Sequence, residues 1–227
     1  MNPVDIRLYG IIGPENTGGR DLVACVEQAV AGGATLIQLR DKSSDARKLV
    51  ETARALMRAL KGTGVPLLIN DRVDVALASG ADGVHLGQSD MSVQDARRLL
   101  GSEKIIGITL KTDDHARALG DQDVDYACIG GVFATLSKKN PDPPVGLAGL
   151  ARIAGIARVA KPGLPVGAIA GIDHSNLRSV VEAGADGIAV ISALFAATDI
   201  PAAARELKMA IDEALAARGA SNGDLQT

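Results

Sequence analysis

The chain alternates short apolar runs with longer amphipathic stretches eight times, and this alternation limits its fold more than any other feature. The runs are LYGII (8–12), TLIQL (35–39), PLLIN (66–70), DGVHL (82–86), KIIGI (104–108), DYACI (125–129), PVGAI (165–169) and DGIAV (186–190). Several are rich in Ile and Val, the pattern of strands buried on both faces of a parallel sheet. Helical segments such as 21–31, 44–61, 92–100, 147–160 and 173–183 lie between them. Within 44–61, Ala46, Leu49, Val50, Ala53, Leu56, Met57 and Leu60 recur at the spacing of one helix face. Parallel strands joined by helices require right-handed crossovers, and eight strands are the number that closes a barrel. The competing open sheet usually carries GxGxxG after its first strand, and GPENTGGR (13–20) does not fit that pattern. The expected fold is therefore α/β, a (β/α)8 TIM barrel forming a single domain over residues 1–218. A frayed tail, GASNGDLQT (219–227), is expected after it.

Composition narrows the function classes. The 227 residues carry a formal net charge of -3, and 47% are hydrophobic. With no Trp, two Phe and two Tyr, the core must be mostly aliphatic. A nucleic-acid surface would need a basic patch and stacking aromatics, so none is expected. Cys25 and Cys128 are too few and too distant for a disulfide framework, and two buried thiols fit a reducing, cytoplasmic setting. No apolar run approaches the roughly 20 residues that span a bilayer, and no basic-then-apolar leader opens the chain. Oligomeric state is left open, a homo-oligomer included.

In a barrel, catalytic groups sit where strands end and the following loops begin. Strand 2 ends in Gln38-Leu39-Arg40-Asp41-Lys42, read as a substrate-binding stretch, and strand 3 in Asn70-Asp71-Arg72. Strand 4 runs into Gln88-Ser89-Asp90, and strand 5 ends at Thr109, followed by Lys111. Strand 6 leads to Thr135, Ser137 and Lys138; strand 7 ends near Gly171, and strand 8 at Ile191-Ser192. Arg40, Lys42 and Lys138 suit a polyphosphate. Asp71 and Asp90 are hard oxygen ligands suited to Mg²⁺. Either aspartate is also a residue type that caps helices, so both readings stand. His85 lies within a strand and reads as structural. No Ser/His/Asp or Cys/His arrangement indicates a covalent nucleophile.

One internal echo runs through the sequence. SGADGVHLG (79–87) and AGADGIAVI (183–191) repeat, and AGGATLIQLR (31–40) is a looser copy. Each reads as a Gly-capped helix end, a tight turn and a strand, on the face opposite the expected site.

At these strand ends the sequence resembles the thiamine-phosphate synthase family. The matching segments are LIQLRDK (36–42), PLLINDRVDVALASGADGVHLGQSDM (66–91), GVFATLSKK (131–139), AIAGI (168–172) and ADGIAVISALF (185–195). The resemblance implies coupling of an aminopyrimidine methyl diphosphate to a thiazole phosphate, with release of pyrophosphate through a dissociative, Mg²⁺-dependent step. It implies that Gln38, Arg40, Lys42 and Asn70 hold the pyrimidine diphosphate, and that Asp71 and Asp90 hold Mg²⁺. Thr109 would face the pyrimidine, where the family usually has Ser. Thr135, Leu136 and Ser137 would face the thiazole phosphate, with Lys138 on the pyrophosphate. Gly171, Ile191 and Ser192 would complete the thiazole phosphate site. Arg40 and Lys138 would then be catalytic. The chain departs from the family's GPxFxTxTK pattern at Gly130-Gly131-Val132-Phe133-Ala134-Thr135-Leu136-Ser137-Lys138, and from its usual GG at Ala170-Gly171. Two other readings remain. A thiazole tautomerase shares the barrel but depends on a His after strand 6, where Gly131 stands. A non-catalytic barrel would bind a phosphate ligand without turnover.

Overall fold

The computed structural model describes residues 3–135 and 143–223. Strands β1 (Leu8–Ile12), β2 (Leu36–Leu39), β3 (Leu67–Asn70), β4 (Gly83–Leu86), β5 (Ile105–Leu110), β6 (Tyr126–Gly130), β7 (Val166–Ile169) and β8 (Gly187–Val190) pair in sequence order into one closed parallel barrel. Closure is made by β1 against β8, with Leu8 opposite Ile188 and Gly10 opposite Val190. The TIM barrel expected from the alternation is the fold observed.

The wrapping helices are α1 (Leu22–Ala31), α2 (Ala46–Ala59), α3 (Val73–Ser79), α4 (Val93–Leu100), α5 (Asp113–Arg117), α6 (Gly146–Ala160), α7 (Leu177–Glu182), α8 (Ser192–Phe195) and α9 (Ile200–Gly223). Their starts are chemically specified. Asp21 accepts from Ala24 N–H, Asp45 from Lys48, Ser92 from Asp95 and Thr112 from His115, each satisfying an N–H the helix cannot. The segment expected as a tail begins inside α9, which continues to Gly223; residues 224–227 lie outside the described residues. No helix among the described residues is long and apolar enough to cross a membrane. Cys25 and Cys128 are both buried free thiols.

Strand alternation splits the core in two. Ile37, Leu39, Leu67, Ile69, Val84 and Leu86 face outward and pack with the helices. Tyr9, Ile11, Leu36, Leu68, Tyr126, Cys128 and Ala189 fill the barrel interior. Gly107 makes room for the largest of these: a Cβ there would lie 2.1 Å from the Tyr126 ring.

The face where strands begin is closed by a recurring clasp, and the echoed sequence encodes it. Gly33, Gly80 and Gly184 adopt left-handed φ of 111°, 78° and 112°, ending α1, α3 and α7. The next residues, Ala34, Ala81 and Ala185, are buried. The residues after those, Thr35, Asp82 and Asp186, accept from the N–H of Leu8, Leu67 and Val166 on the preceding strand. Each returns its own N–H to the same residue's carbonyl. Asp125 does likewise with Ile106, outside the echoed copies. An N–H at a strand start thus gains a partner where the ladder has none to offer.

Candidate active site

The opposite face opens into a cavity of about 1090 Å³. Among the residues singled out from sequence, it is lined by Gln38, Arg40, Lys42, Asn70, Asp71, Asp90, Thr109, Thr135, Gly171, Ile191 and Ser192. Every strand except β1 supplies at least one of them at its end or in the loop beyond. Two of the expected contacts are not there. Leu39 is fully buried among the outward-facing residues, because strand alternation turns it away from the cavity that Gln38 and Arg40 face. Asp41 is turned into its own loop, where it accepts from Ser43 N–H, Ser43 Oγ–H and Ser44 N–H. Those donors outweigh the opposing effect of burial and hold its carboxyl at about 2. Leu136, Ser137 and Lys138 lie outside the described residues.

The carboxylates expected as metal ligands meet. Asp71 sits at the end of β3 with φ of 61°, a left-handed conformation uncommon for a residue with a side chain. Its side chain contacts that of Asp90 and pairs with the Lys42 ammonium. Burial pushes the Asp71 carboxyl up, but Lys42 and Asp90 more than offset this, and it ends below the usual carboxylate range. Burial and the facing Asp71 push Asp90 up, against a 2.7 Å hydrogen bond from Gly87 N–H. The two carboxyls are therefore pushed in opposite directions, as adjoining carboxylates are. Neither aspartate caps a helix: α3 has no side-chain cap, and Ser92 caps α4. Two hard oxygen donors lie against each other, a pair that could supply part of the coordination of a small divalent cation.

Arg40 lines the same cavity, its side chain largely covered and its guanidinium 3.5 Å from Glu15. Across the mouth, Ala170 follows β7 with φ of 83°, again left-handed in a residue with a side chain. Gly171 follows with φ of 67°, and a Cβ there would come 2.6 Å from the Ala134 carbonyl. Glycine is required at that second position, whereas the first carries a methyl under strain.

The floor holds what sequence reasoning missed. Tyr9, Tyr126 and His85 lie on β1, β6 and β4, all buried. Tyr9 and Tyr126 share a hydroxyl contact of 2.9 Å, and Gln38 Nε2 donates to the Tyr9 hydroxyl. His85 bonds Tyr126 through Nδ1 and Thr109 through Nε2, each at 2.8 Å. His85 is thus held by two partners and also lines the cavity. The only signal in the sequence was parity: Tyr9, Gln38, His85, Thr109 and Tyr126 occupy inward positions of their strands.

Residues 8–194 match the family model described as thiamine monophosphate synthase. A thiamine-phosphate synthase of Agrobacterium fabrum is 50% identical over 218 residues, 96% of this chain and 99% of that protein. One of Moorella thermoacetica is 44% identical, over 91% of this chain and 96% of its own length. Among solved structures, a thiamine phosphate pyrophosphorylase of Pyrococcus furiosus superposes with a TM-score of 0.82 at 35% identity. That match covers 93% of this chain and 98% of the other.

Proposed function

The chain belongs to the thiamine monophosphate synthase family, and from that premise we propose how its barrel mouth joins an aminopyrimidine methyl diphosphate to a thiazole phosphate, yielding thiamine phosphate and pyrophosphate. The observation that carries this reading is the convergence of Arg40, Lys42, Asn70, Asp71 and Asp90 at one side of a cavity large enough for two small substrates.

The site's chemistry fits Mg²⁺. Asp71 and Asp90 would hold it, since two carboxylates this close are relieved by a cation between them. When bound, it would neutralise charge on the departing pyrophosphate. Arg40, Lys42 and Lys138 add positive charge to the same leaving group, where charge grows as the bond breaks. Gln38 and Asn70 orient the pyrimidine end, and Thr109 meets the ring. The amino group of the pyrimidine supplies electrons to the methylene carbon, which the thiazole nitrogen then captures. Thr135, Leu136, Ser137, Gly171, Ile191 and Ser192 receive the thiazole phosphate.

No side-chain nucleophile enters this scheme. The one thiol lining the cavity, Cys128, is pushed up to about 12 by burial and stays protonated, which makes it a poor nucleophile. Its reduced state suits the cytoplasm, and residues 1–218 act as one catalytic unit. Purified protein incubated with both substrates and Mg²⁺ should form thiamine phosphate and pyrophosphate in equal amounts. Isomerised thiazole without coupling would favour a tautomerase, and ligand binding without either reaction a non-catalytic barrel.

A further inference from the structure

We propose that Tyr9, Tyr126 and His85 are positioning residues: they give the hydrogen-bond chain on the cavity floor a single polarity, which turns Thr109 into a hydrogen-bond donor toward the pyrimidine ring. The inference deepens the synthase reading and rests on it for the identity of the ring.

The argument is one of counting protons. Burial pushes the Tyr9 and Tyr126 hydroxyls well above their ordinary range, so each keeps its single hydrogen. Gln38 Nε2 donates to the Tyr9 oxygen, which leaves the Tyr9 hydrogen to be donated onward. Its other polar partner is Tyr126, so Tyr126 accepts there and must pass its own hydrogen to His85 Nδ1. His85 Nδ1 is then the bare nitrogen of a neutral imidazole, and Nε2 carries the hydrogen. That hydrogen goes to Thr109 Oγ1. With its oxygen occupied by His85, the Thr109 hydroxyl directs its own hydrogen elsewhere, and Thr109 lines the cavity. An aminopyrimidine offers ring nitrogens that accept such a bond. With the opposite polarity Tyr9 would accept from both Gln38 and Tyr126, and its own buried hydrogen would have neither of them to receive it.

The fold enforces this chain at some cost in side-chain freedom. Its members come from β1, β2, β4, β5 and β6. The Tyr126 ring fits only because Gly107 has no side chain. Tyr9 and Tyr126 meet edge to face at 5.8 Å between ring centroids, a geometry that fixes both hydroxyls.

The first test reads the polarity directly. Nitrogen-15 NMR of the histidine-labelled wild-type protein without substrate, with the His85 signals identified by their loss in His85→Asn, should show the Nε2–H tautomer. The Nδ1–H tautomer would overturn the proposal. The second test measures binding of the pyrimidine diphosphate alone by calorimetry. Thr109→Val should weaken it roughly tenfold, the value of about one neutral hydrogen bond, and Thr109→Ser should restore it. Tyr126→Phe should cost a similar factor in the wild type and almost nothing in Thr109→Val, because it acts through that hydroxyl. Fully additive losses would refute the positioning role. Neither measurement needs turnover, so failure to make thiamine phosphate would count against the synthase reading alone.

Discussion

The two ends of this barrel use the same residue types to opposite effect. At the face where strands begin, Asp82, Asp125 and Asp186 each accept from a backbone N–H, and Asp186 also receives Arg158 and Arg218 at 2.9 and 2.6 Å. At the face where strands end, Asp71 and Asp90 meet each other: burial and Asp71 push Asp90 up, while Lys42 and Asp90 hold Asp71 down against its own burial. Left-handed backbone follows the same division. The strand-start face assigns it to Gly33, Gly80 and Gly184, whereas the strand-end face assigns it not only to Gly171 but to Asp71 and Ala170, which carry side chains. One end satisfies its polar groups internally; the other holds them ready for a ligand, at some expense in local stability.

The largest expected effect tests the ligand-facing end. Asp71→Asn should abolish Mg²⁺-dependent turnover while leaving the melting temperature near that of the parent. The change is nearly isosteric, and the ion pair it weakens is with the exposed Lys42 side chain. Activity retained at saturating Mg²⁺ would show that Asp71 belongs with the internally satisfied carboxylates.

The converse substitution belongs at the other end. Asp186→Ala leaves the buried Val166 N–H without its partner and releases Arg158 and Arg218. Unfolding in urea should report a loss of about 1–3 kcal/mol, with kcat/KM for both substrates unchanged. A kinetic defect in a protein of parental stability would erase the distinction between the ends.

Ala170 offers a smaller test. Replacing it with Gly relieves the left-handed strain but adds freedom to the unfolded chain, and these largely cancel, so stability should shift by less than about 1 kcal/mol. The informative readout is KM for the thiazole phosphate, which should fall as backbone approach becomes easier. An unchanged KM would show that the methyl does not crowd that substrate.

The smallest effect concerns Asp41, a carboxylate at the strand-end face that behaves like those at the other. Its donors lower it from 3.8 to about 2. A carboxyl depressed on folding contributes stability that is complete above its unfolded value and is lost as pH falls through the folded one. Asp41→Asn should therefore shrink the acid sensitivity of unfolding between those values. It should also leave KM for the pyrimidine diphosphate unchanged, since Asp41 faces its own loop. A raised KM would return Asp41 to the binding stretch in which its sequence position placed it.

Much of the molecule was legible because its determinants are local. Runs such as LYGII and PVGAI form strands within about a residue of their expected bounds, since continuous apolar stretches have no other stable arrangement between helices. The polar strand ends were equally visible, because a barrel leaves few other places for Arg40, Asn70 or Asp71. Leu39 was misplaced for a simple reason: a contiguous stretch was assigned to one site, although a strand alternates its side chains between two environments.

Sequence by itself determined that the chain would close into a barrel and which strand ends would bring polar and charged residues to one cavity. Only the tertiary structure decided which carboxylates touch, which residues accept left-handed backbone, and how Tyr9, Gln38, His85, Thr109 and Tyr126 join across five strands. The physical reason is range. Hydrophobic periodicity and helix caps act over a few residues and leave a mark in the sequence. Hydrogen bonds and charge coupling act over a few ångströms in space, between residues whose proximity exists only once the barrel has closed.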